Sequence, residues 1–337
     1  MITFAVVGLN HRHIYEQTGR LLELGCRCKG YWTDGEPQPL QGFVERFPDL
    51  TRYDDPRRVF NDLEIDLIVT AAIPSDRAAI AIEAMQAGKD VMVDKPGCTS
   101  IEDLARLKTA AAAAGRIWSV NFSERFEVPA VAKAGELIEA GRIGRVIQTL
   151  GMGPHRLNKA TRPDWFFDPM RYGGILTDIA SHQIDQFLHF TGSVDAEIAS
   201  STVANYANPE TPGLQDFGEI VLRGDQSHGY IRVDWYTPDG LPTWGDGRLT
   251  ILGTEGYIEL RKYVDIAGRP GTDHLFVVNG DKVEHIDCAS DERPYYRRLV
   301  EDVRNRTETA MLQSHGFKVM ELALKAQASA IRLGHLR

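Results

Sequence analysis

Thr3-Phe4-Ala5-Val6-Val7-Gly8 is an apolar run closed by a glycine, the pattern of a central strand in a parallel sheet. A helical pattern follows through Leu21, Leu22 and Leu24. A less apolar strand then runs from Cys28 to Trp32 and ends in Thr33-Asp34-Gly35-Glu36. Strand, turn, helix, strand and terminal acid make one βαβ unit. An acid about 20–25 residues beyond the first turn suits a hydrogen bond to an adenosine ribose.

The alternation continues downstream. Pro39–Phe47 and Asp55–Asp62 read as helices, Ile65–Ala72 as a strand, and Ser75–Ala87 as a helix with Gly88 as its C-terminal stop. Asp90-Val91-Met92-Val93 is a strand ending at Asp94-Lys95-Pro96-Gly97. Ser100 begins a helix that runs to Ala114, and Ile117-Trp118-Ser119-Val120 closes the series. Repeated strand–helix units with short connections specify a doubly wound, Rossmann-type α/β sheet, expected over residues 1–122. Ligands bind such sheets at the carboxyl ends of the strands, where Gly8, Asp34, Pro74, Lys95 and Asn121 lie.

The glycine pattern of the first turn is reduced. Gly8-Leu9-Asn10-His11-Arg12-His13 stands where Gly-x-Gly-x-x-Gly is the fingerprint of dinucleotide binding. Asn10 suits the second glycine position only if its side chain turns away, and asparagine tolerates left-handed backbone. A bulky His13 at the third is expected to hold helix and strand further apart. His11 and His13 have no third partner at a recognisable ligand spacing, so no metal site is expected.

From about Asn121 the style changes, and residues 123–337 are expected to form an α+β domain, with the terminal helices free to pack back on the first. Pro129–Ala140 is an amphipathic helix. Between Ala196 and Ile286 lie seven short strand patterns separated by turns such as Pro238-Asp239-Gly240 and Asn279-Gly280-Asp281. They imply a large, open, mainly antiparallel sheet. Such a sheet needs its second face covered, which suggests a homodimer or homotetramer formed through it. Tyr295–Arg304 and Gln313–Leu333 read as closing helices.

Within this second part, Gly173-Gly174-Ile175-Leu176-Thr177-Asp178-Ile179-Ala180-Ser181-His182-Gln183-Ile184-Asp185-Gln186-Phe187 has helical spacing. It places Asp178, His182 and Asp185 at i, i+4 and i+7 on one face. A carboxylate one turn before an imidazole can orient the ring and stabilise its cation, as a general base requires. The same pattern also fits an ordinary amphipathic helix with a solvated polar stripe. Ahead of it, residues 155–171 carry His155, Arg156, Asn158, Lys159, Arg162, Trp165, Phe166, Phe167 and Arg171, a polar and aromatic loop suited to substrate selection.

Composition excludes several classes. The 337 residues are 43% hydrophobic and 25% charged, with a net charge of −9 and no basic run, which disfavours nucleic-acid and anionic-membrane partners. The apolar runs fall short of the ~18 residues of a membrane span, and the opening lacks the pattern of a signal peptide, which points to the cytoplasm. Cys26, Cys28, Cys98 and Cys288 are too few and scattered for a disulfide framework.

Two blocks carry a resemblance. Ala87-Gly88-Lys89-Asp90-Val91-Met92-Val93-Asp94-Lys95-Pro96, followed by Gly173-Gly174-x-Leu176-x-Asp178-x-x-x-His182-x-x-Asp185, resembles the Gfo/Idh/MocA family of glucose–fructose oxidoreductases, inositol dehydrogenases and relatives. Gly141-Arg142-Ile143-Gly144 resembles the family's G-x-I-G turn. Asp94 stands where glutamate is usual, Pro74-Ser75-Asp76-Arg77 replaces a common proline–asparagine motif, and two glycines precede the helix where three are frequent.

The resemblance implies a nicotinamide-dependent oxidoreductase acting on the CH–OH group of a sugar, polyol or related small molecule. Lys95, Asp178 and His182 are the implied catalytic residues: His182 takes the hydroxyl proton while Lys95 and Asp178 hold substrate oxygens. Lys95, Arg156, Trp165, Asp178 and His182 are the expected substrate contacts. Gly8, Leu9, Asn10, His11, His13, Asp34, Pro74, Asp94, Lys95 and Asn121 are the expected cofactor contacts. Asp34 favours NAD over NADP, because a carboxylate at the ribose repels a 2′-phosphate. The family also allows a hydrolase or lyase that uses held NAD for transient oxidation and elimination. A non-catalytic cofactor-binding regulator on the same scaffold is the third alternative.

Overall fold

The computed structural model describes residues 1–336, which form two compact units. The first comprises Met1–Asn121, Met170–Gly173 and Pro294–Met320. The second comprises Phe122–Pro169, Gly174–Arg293 and the chain from Glu321 on.

The first unit contains β1 (Thr3–Val7), α1 (His13–Glu23), β2 (Arg27–Trp32), α2 (Leu40–Arg46), α3 (Pro56–Phe60), β3 (Leu67–Thr70), α4 (Arg77–Gln86), β4 (Asp90–Asp94), α5 (Ile101–Ala114) and β5 (Trp118–Asn121). The strands form a five-stranded sheet in the order β2-β1-β3-β4-β5, and every neighbouring pair is parallel. Residues of β3, β4 and β5 are buried throughout, which explains why their sequences show no polar alternation. β2, at an edge, is the least apolar. Helix ends follow local chemistry: Ser100 Oγ accepts from the Asp103 N–H at 3.0 Å to start α5, and Gly115 ends it at φ +59°.

The second unit carries α6 (Ser123–Phe126), α7 (Pro129–Glu139), β6 (Val146–Pro154), α9 (Ile175–Asp178) and α10 (Ala180–Thr191), while α8 (Pro169–Tyr172), which comes between β6 and α9 in the chain, has its residues from Met170 on in the first unit. Strands β7 (Glu197–Asn205), β8 (Phe217–Arg223), β9 (His228–Asp234), β10 (Arg248–Gly253), β11 (Gly256–Arg261), β12 (His274–Asn279) and β13 (Val283–Asp287) follow. α11 (Tyr295–Asn305) belongs to the first unit, α12 (Gln313–Ser329) passes from the first unit into the second at Glu321, and β14 (Ile331–Gly334) lies in the second. The sheet has nine strands in the order β13-β12-β11-β10-β6-β9-β8-β7-β14. Its pairs are antiparallel except β6 with β9 and β14 with β7. Val131, Ala134 and Leu137 of α7 join Leu249, Ile251, Ile258 and Leu260 in one apolar cluster.

Two expectations are corrected. The closing helical pattern stops at Ser329, and Ile331–Gly334 adds a parallel strand to β7, with Ile331 opposite Thr202. The stretch 173–187 is two helices rather than one. Ser181 Oγ takes the Asp178 carbonyl at 3.1 Å, while the His182 N–H turns to the Ile179 carbonyl at 3.1 Å. A side-chain hydroxyl has captured an acceptor of the ladder, and the helix breaks at Ile179.

Candidate active site

In the first unit, Gly8 leaves β1 at φ +87°, and a Cβ there would lie 2.5 Å from Ala72 Cβ. The close approach of two strand ends therefore requires glycine. Leu9 follows, its N–H on Thr33 Oγ1 at 3.3 Å. The left-handed backbone belongs to Gly8; Asn10 does not share it.

His13 begins α1, and its Nδ1 lies 2.8 Å from Asp94 Oδ1; His11 Nδ1 stands 3.4 Å from Asp94 Oδ2. Histidine in place of glycine thus ties the turn to the end of β4. Burial would push the Asp94 carboxyl up, but His13, Arg77 and His11 outweigh it and hold it far below the usual carboxylate range. Burial, then His13, keeps the His11 ring well below its ordinary value. The donor atoms of His11, His13 and Asp94 lie within 4.8 Å of one another, so the third partner absent from the local spacing is supplied 81 residues downstream of His13. Arg77 already balances the Asp94 charge at 3.0 Å.

Arg77, at the start of α4, has no exposed surface. Its Nε donates to Ala72 O at 2.8 Å, and Nη1 donates to the carbonyls of Asp94, Lys95 and Pro96. One guanidinium therefore fixes the turn that carries Lys95, itself buried. Pro74 is buried in the 3-10 turn Pro74–Asp76 that leads into α4. Asn121 ends β5; its Nδ2 donates to Tyr296 OH at 2.9 Å, and its buried Oδ1 has no partner among the described residues.

Asp34 is exposed beyond the end of β2. No base stands at 33–37, but Arg52 reaches the same turn, donating to Glu36 Oε1 and the Gly35 carbonyl at 2.6 Å each.

In the second unit, α9 is capped from afar: Gln215 Oε1 accepts from the Ile175 N–H at 2.8 Å and Gln327 Oε1 from the Leu176 N–H at 3.1 Å. Asp178 is half-buried at its last position, and His182 is buried in α10, its ring edge-on to Phe122 at 6.4 Å. Asp185 is fully buried and accepts two hydrogen bonds from Arg125, from Nε at 2.6 Å and Nη2 at 2.7 Å. That bidentate pair makes Asp185 an anchor of α10. α10 lies against β6 where the strand offers Gly151 and Gly153. A Cβ on either would meet Gln183 at 2.8–2.9 Å.

Arg156 props a loop: its Nη2 donates to the carbonyls of Pro238 at 2.9 Å and Leu241 at 2.6 Å. Trp165 is half-buried in a 3-10 turn, edge-on to Phe166. The aromatic cluster of this region centres on residues that spacing alone did not join. His155 packs against Trp235 and Trp244, Trp244 against Tyr263, and the Arg162 guanidinium lies over Phe166 and Trp235 at 4.4 and 5.0 Å.

A parallel dinucleotide-type sheet in one unit, and a nine-stranded mixed sheet bearing a buried histidine helix in the other, define a Rossmann-fold chain with an appended α+β sheet domain. The chain belongs to the Gfo/Idh/MocA family: residues 3–122 match the oxidoreductase family's NAD-binding Rossmann fold, and residues 131–259 the GFO/IDH/MocA C-terminal domain. A crystal structure of an oxidoreductase candidate from Erwinia carotovora atroseptica SCRI1043 is 44% identical. It superposes with a TM-score of 0.96 over 99% of this chain and 100% of that one. Scyllo-inositol 2-dehydrogenase (NAD(+)) of Bacillus subtilis (strain 168) is 29% identical over 212 residues, 61% of this chain and 58% of that one. Scyllo-inositol 2-dehydrogenase (NADP(+)) IolW of the same organism is 24% identical over 307 residues, 84% and 82% of the two chains. The chain spans about half the length of the curated relatives that match it first. No helix among the described residues is long and apolar enough to cross a membrane.

Proposed function

We propose that this chain is a nicotinamide-dependent dehydrogenase acting on a CH–OH group of a sugar, polyol or related small molecule. The observation that carries the reading is the buried His182 of α10, in a chain whose first unit presents Gly8, Lys95 and Asn121 at the ends of parallel strands. The residues suit the cofactor: Gly8 permits close backbone approach, Asn121 Oδ1 is an acceptor with no partner among the described residues, and Asp34 is an exposed carboxylate where a ribose would be read. The bound nicotinamide would supply the hydride chemistry.

His182 removes the hydroxyl proton, and neutral imidazole near pH 7 suits that task. Lys95 holds the substrate oxygen and favours its negative character as the C–H bond is broken. Asp178 binds a neighbouring substrate hydroxyl. The relatives named for scyllo-inositol support a polyhydroxylated ring as substrate. Asp34 supports NAD as the preferred cofactor.

Self-association through the nine-stranded sheet is part of the same reading. Leu150 lies opposite Tyr230, and Leu252 opposite Tyr257; each is more than a third exposed, an apolar group without cover in the single chain.

The test incubates the purified chain with NAD or NADP and a panel of inositols, aldoses and aryl glycosides, following NADH absorbance and aglycone release together. NADH formation with a polyol, lost in His182→Gln, is the expected result. Glycoside cleavage without NADH would replace the reading with oxidation–elimination chemistry, and stoichiometric cofactor binding without turnover with a binding protein.

A further inference from the structure

Glu124 sits in α6 at 2% exposure, and none of the roles assigned above uses it. Lys262, 1% exposed and 138 residues away, donates from Nζ to Glu124 Oε2 at 2.7 Å and to Gln186 Oε1 at 2.9 Å. Gln183 Nε2 donates to the same Glu124 oxygen at 2.9 Å, and Gln186 Nε2 donates to the His182 carbonyl at 2.9 Å. The residues one and four positions beyond His182 are thus both fastened to one buried ion pair. Glu124 Oε1, also buried, has no hydrogen-bond partner among the described residues.

A pair this deep is a poor stabiliser, because removing two charges from water costs about what their attraction returns. Its charges are felt by functional neighbours. Burial would push the Glu124 carboxyl up, yet Lys262, then His182 and His155, outweigh it and hold it down to about 2. The Tyr263 hydroxyl is pushed well above its ordinary value by burial and next by Glu124. The titratable groups coupled to Glu124 are therefore Lys262, His182, His155 and Tyr263.

We propose that Glu124, held by Lys262, is the positioning residue that fixes the ring and the proton affinity of His182. The proposal rests on the reading of His182 as the base. The carboxylate favours the imidazolium that forms when the substrate proton is taken, and the lysine offsets part of that field.

The test is a histidine-selective NMR titration of the full chain without substrate, the His182 signal assigned with His182→Gln. Glu124→Gln leaves Lys262 uncompensated and is expected to lower the ring pKa by about one unit. Lys262→Met leaves the carboxylate and raises it by a similar amount, and the double variant returns it close to the starting value. The pH profile of kcat/KM should move in the same directions. An unmoved His182 pKa in either folded single variant overturns the proposal. If Glu124→Gln does not fold, Lys262→Met and the double variant decide it alone. Shifted NMR titrations without dehydrogenase activity would sink the reading of the reaction and leave the charge relationship standing.

Discussion

The guanidinium of Arg77 meets the carboxylate of Asp94 at 3.0 Å, and neither side chain has exposed surface. The contact joins the start of α4 to the end of β4, and the same guanidinium donates to three successive carbonyls of the Lys95 turn. Arg77→Met would leave Asp94 with the two histidines and Gln17 as its partners, and would take the guanidinium donor from four carbonyls, those of Ala72, Asp94, Lys95 and Pro96. It is expected to lower stability by about 3–5 kcal/mol in urea unfolding. Arg77→Lys keeps the charge but loses the planar fork and should recover only part of it. Equal stability of Met and native forms would refute this.

Replacing Lys95 by Met removes the cation while keeping most of its apolar stem. The expected result is a fall in kcat of roughly 100-fold or more, with NAD affinity changed only a few-fold, because the loss concerns an interaction made as charge develops. Retention of kcat would remove Lys95 from the reaction.

Cofactor choice is expected to turn on the β2 exit. Asp34→Ser removes the carboxylate, and Arg52 is already anchored on the same turn. The ratio of kcat/KM for NADP to that for NAD should rise by at least about tenfold. An unchanged ratio would place the discrimination elsewhere.

The Glu124–Lys262 pair also has a thermal signature. In the native chain the depressed Glu124 carboxyl contributes stability that is complete above its unfolded pKa of about 4.3 and is lost as pH falls toward about 2. Lys262→Met removes the largest of the charges that hold the carboxyl down and leaves His182 and His155 against burial, so the carboxyl is less depressed. The loss of stability as pH falls from about 4.3 toward about 2 should therefore be smaller in this variant than in the native chain in melting experiments. A parallel decline of both would contradict the assignment.

The exposed sheet face gives a further measurement. Tyr257→Lys with Leu252→Lys should dissociate an assembly built on that face, read by light scattering at several concentrations. The native chain running as a monomer throughout would dispose of the idea.

Much of the first unit is legible in the sequence because central parallel strands are apolar on both faces and their helices end at glycines such as Gly88 and Gly115. The partners of the site are less so. His13 and Asp94 meet across 81 residues, and Glu124 and Lys262 across 138. Such pairings depend on strand order, which periodicity does not encode. The break at Ile179 is hidden for another reason: it turns on one serine hydroxyl competing for a carbonyl, a choice of rotamer rather than of pattern. Ile331–Gly334 is drawn into the sheet by an available edge on β7, a tertiary opportunity that overrides local helical spacing.

Gly151 and Gly153 suggest where the precision of the histidine helix comes from. The strand beneath α10 offers bare backbone at two alternate positions, and Gln183 fills the space that a methyl group would claim. The depth at which the helix rides is therefore set by missing atoms. A single alanine at Gly151, whose Cβ would meet Gln183 Cγ at 2.8 Å and Cβ at 3.0 Å, would press on the helix one residue from His182, so a defect in turnover could arise from a residue that bears no functional group at all.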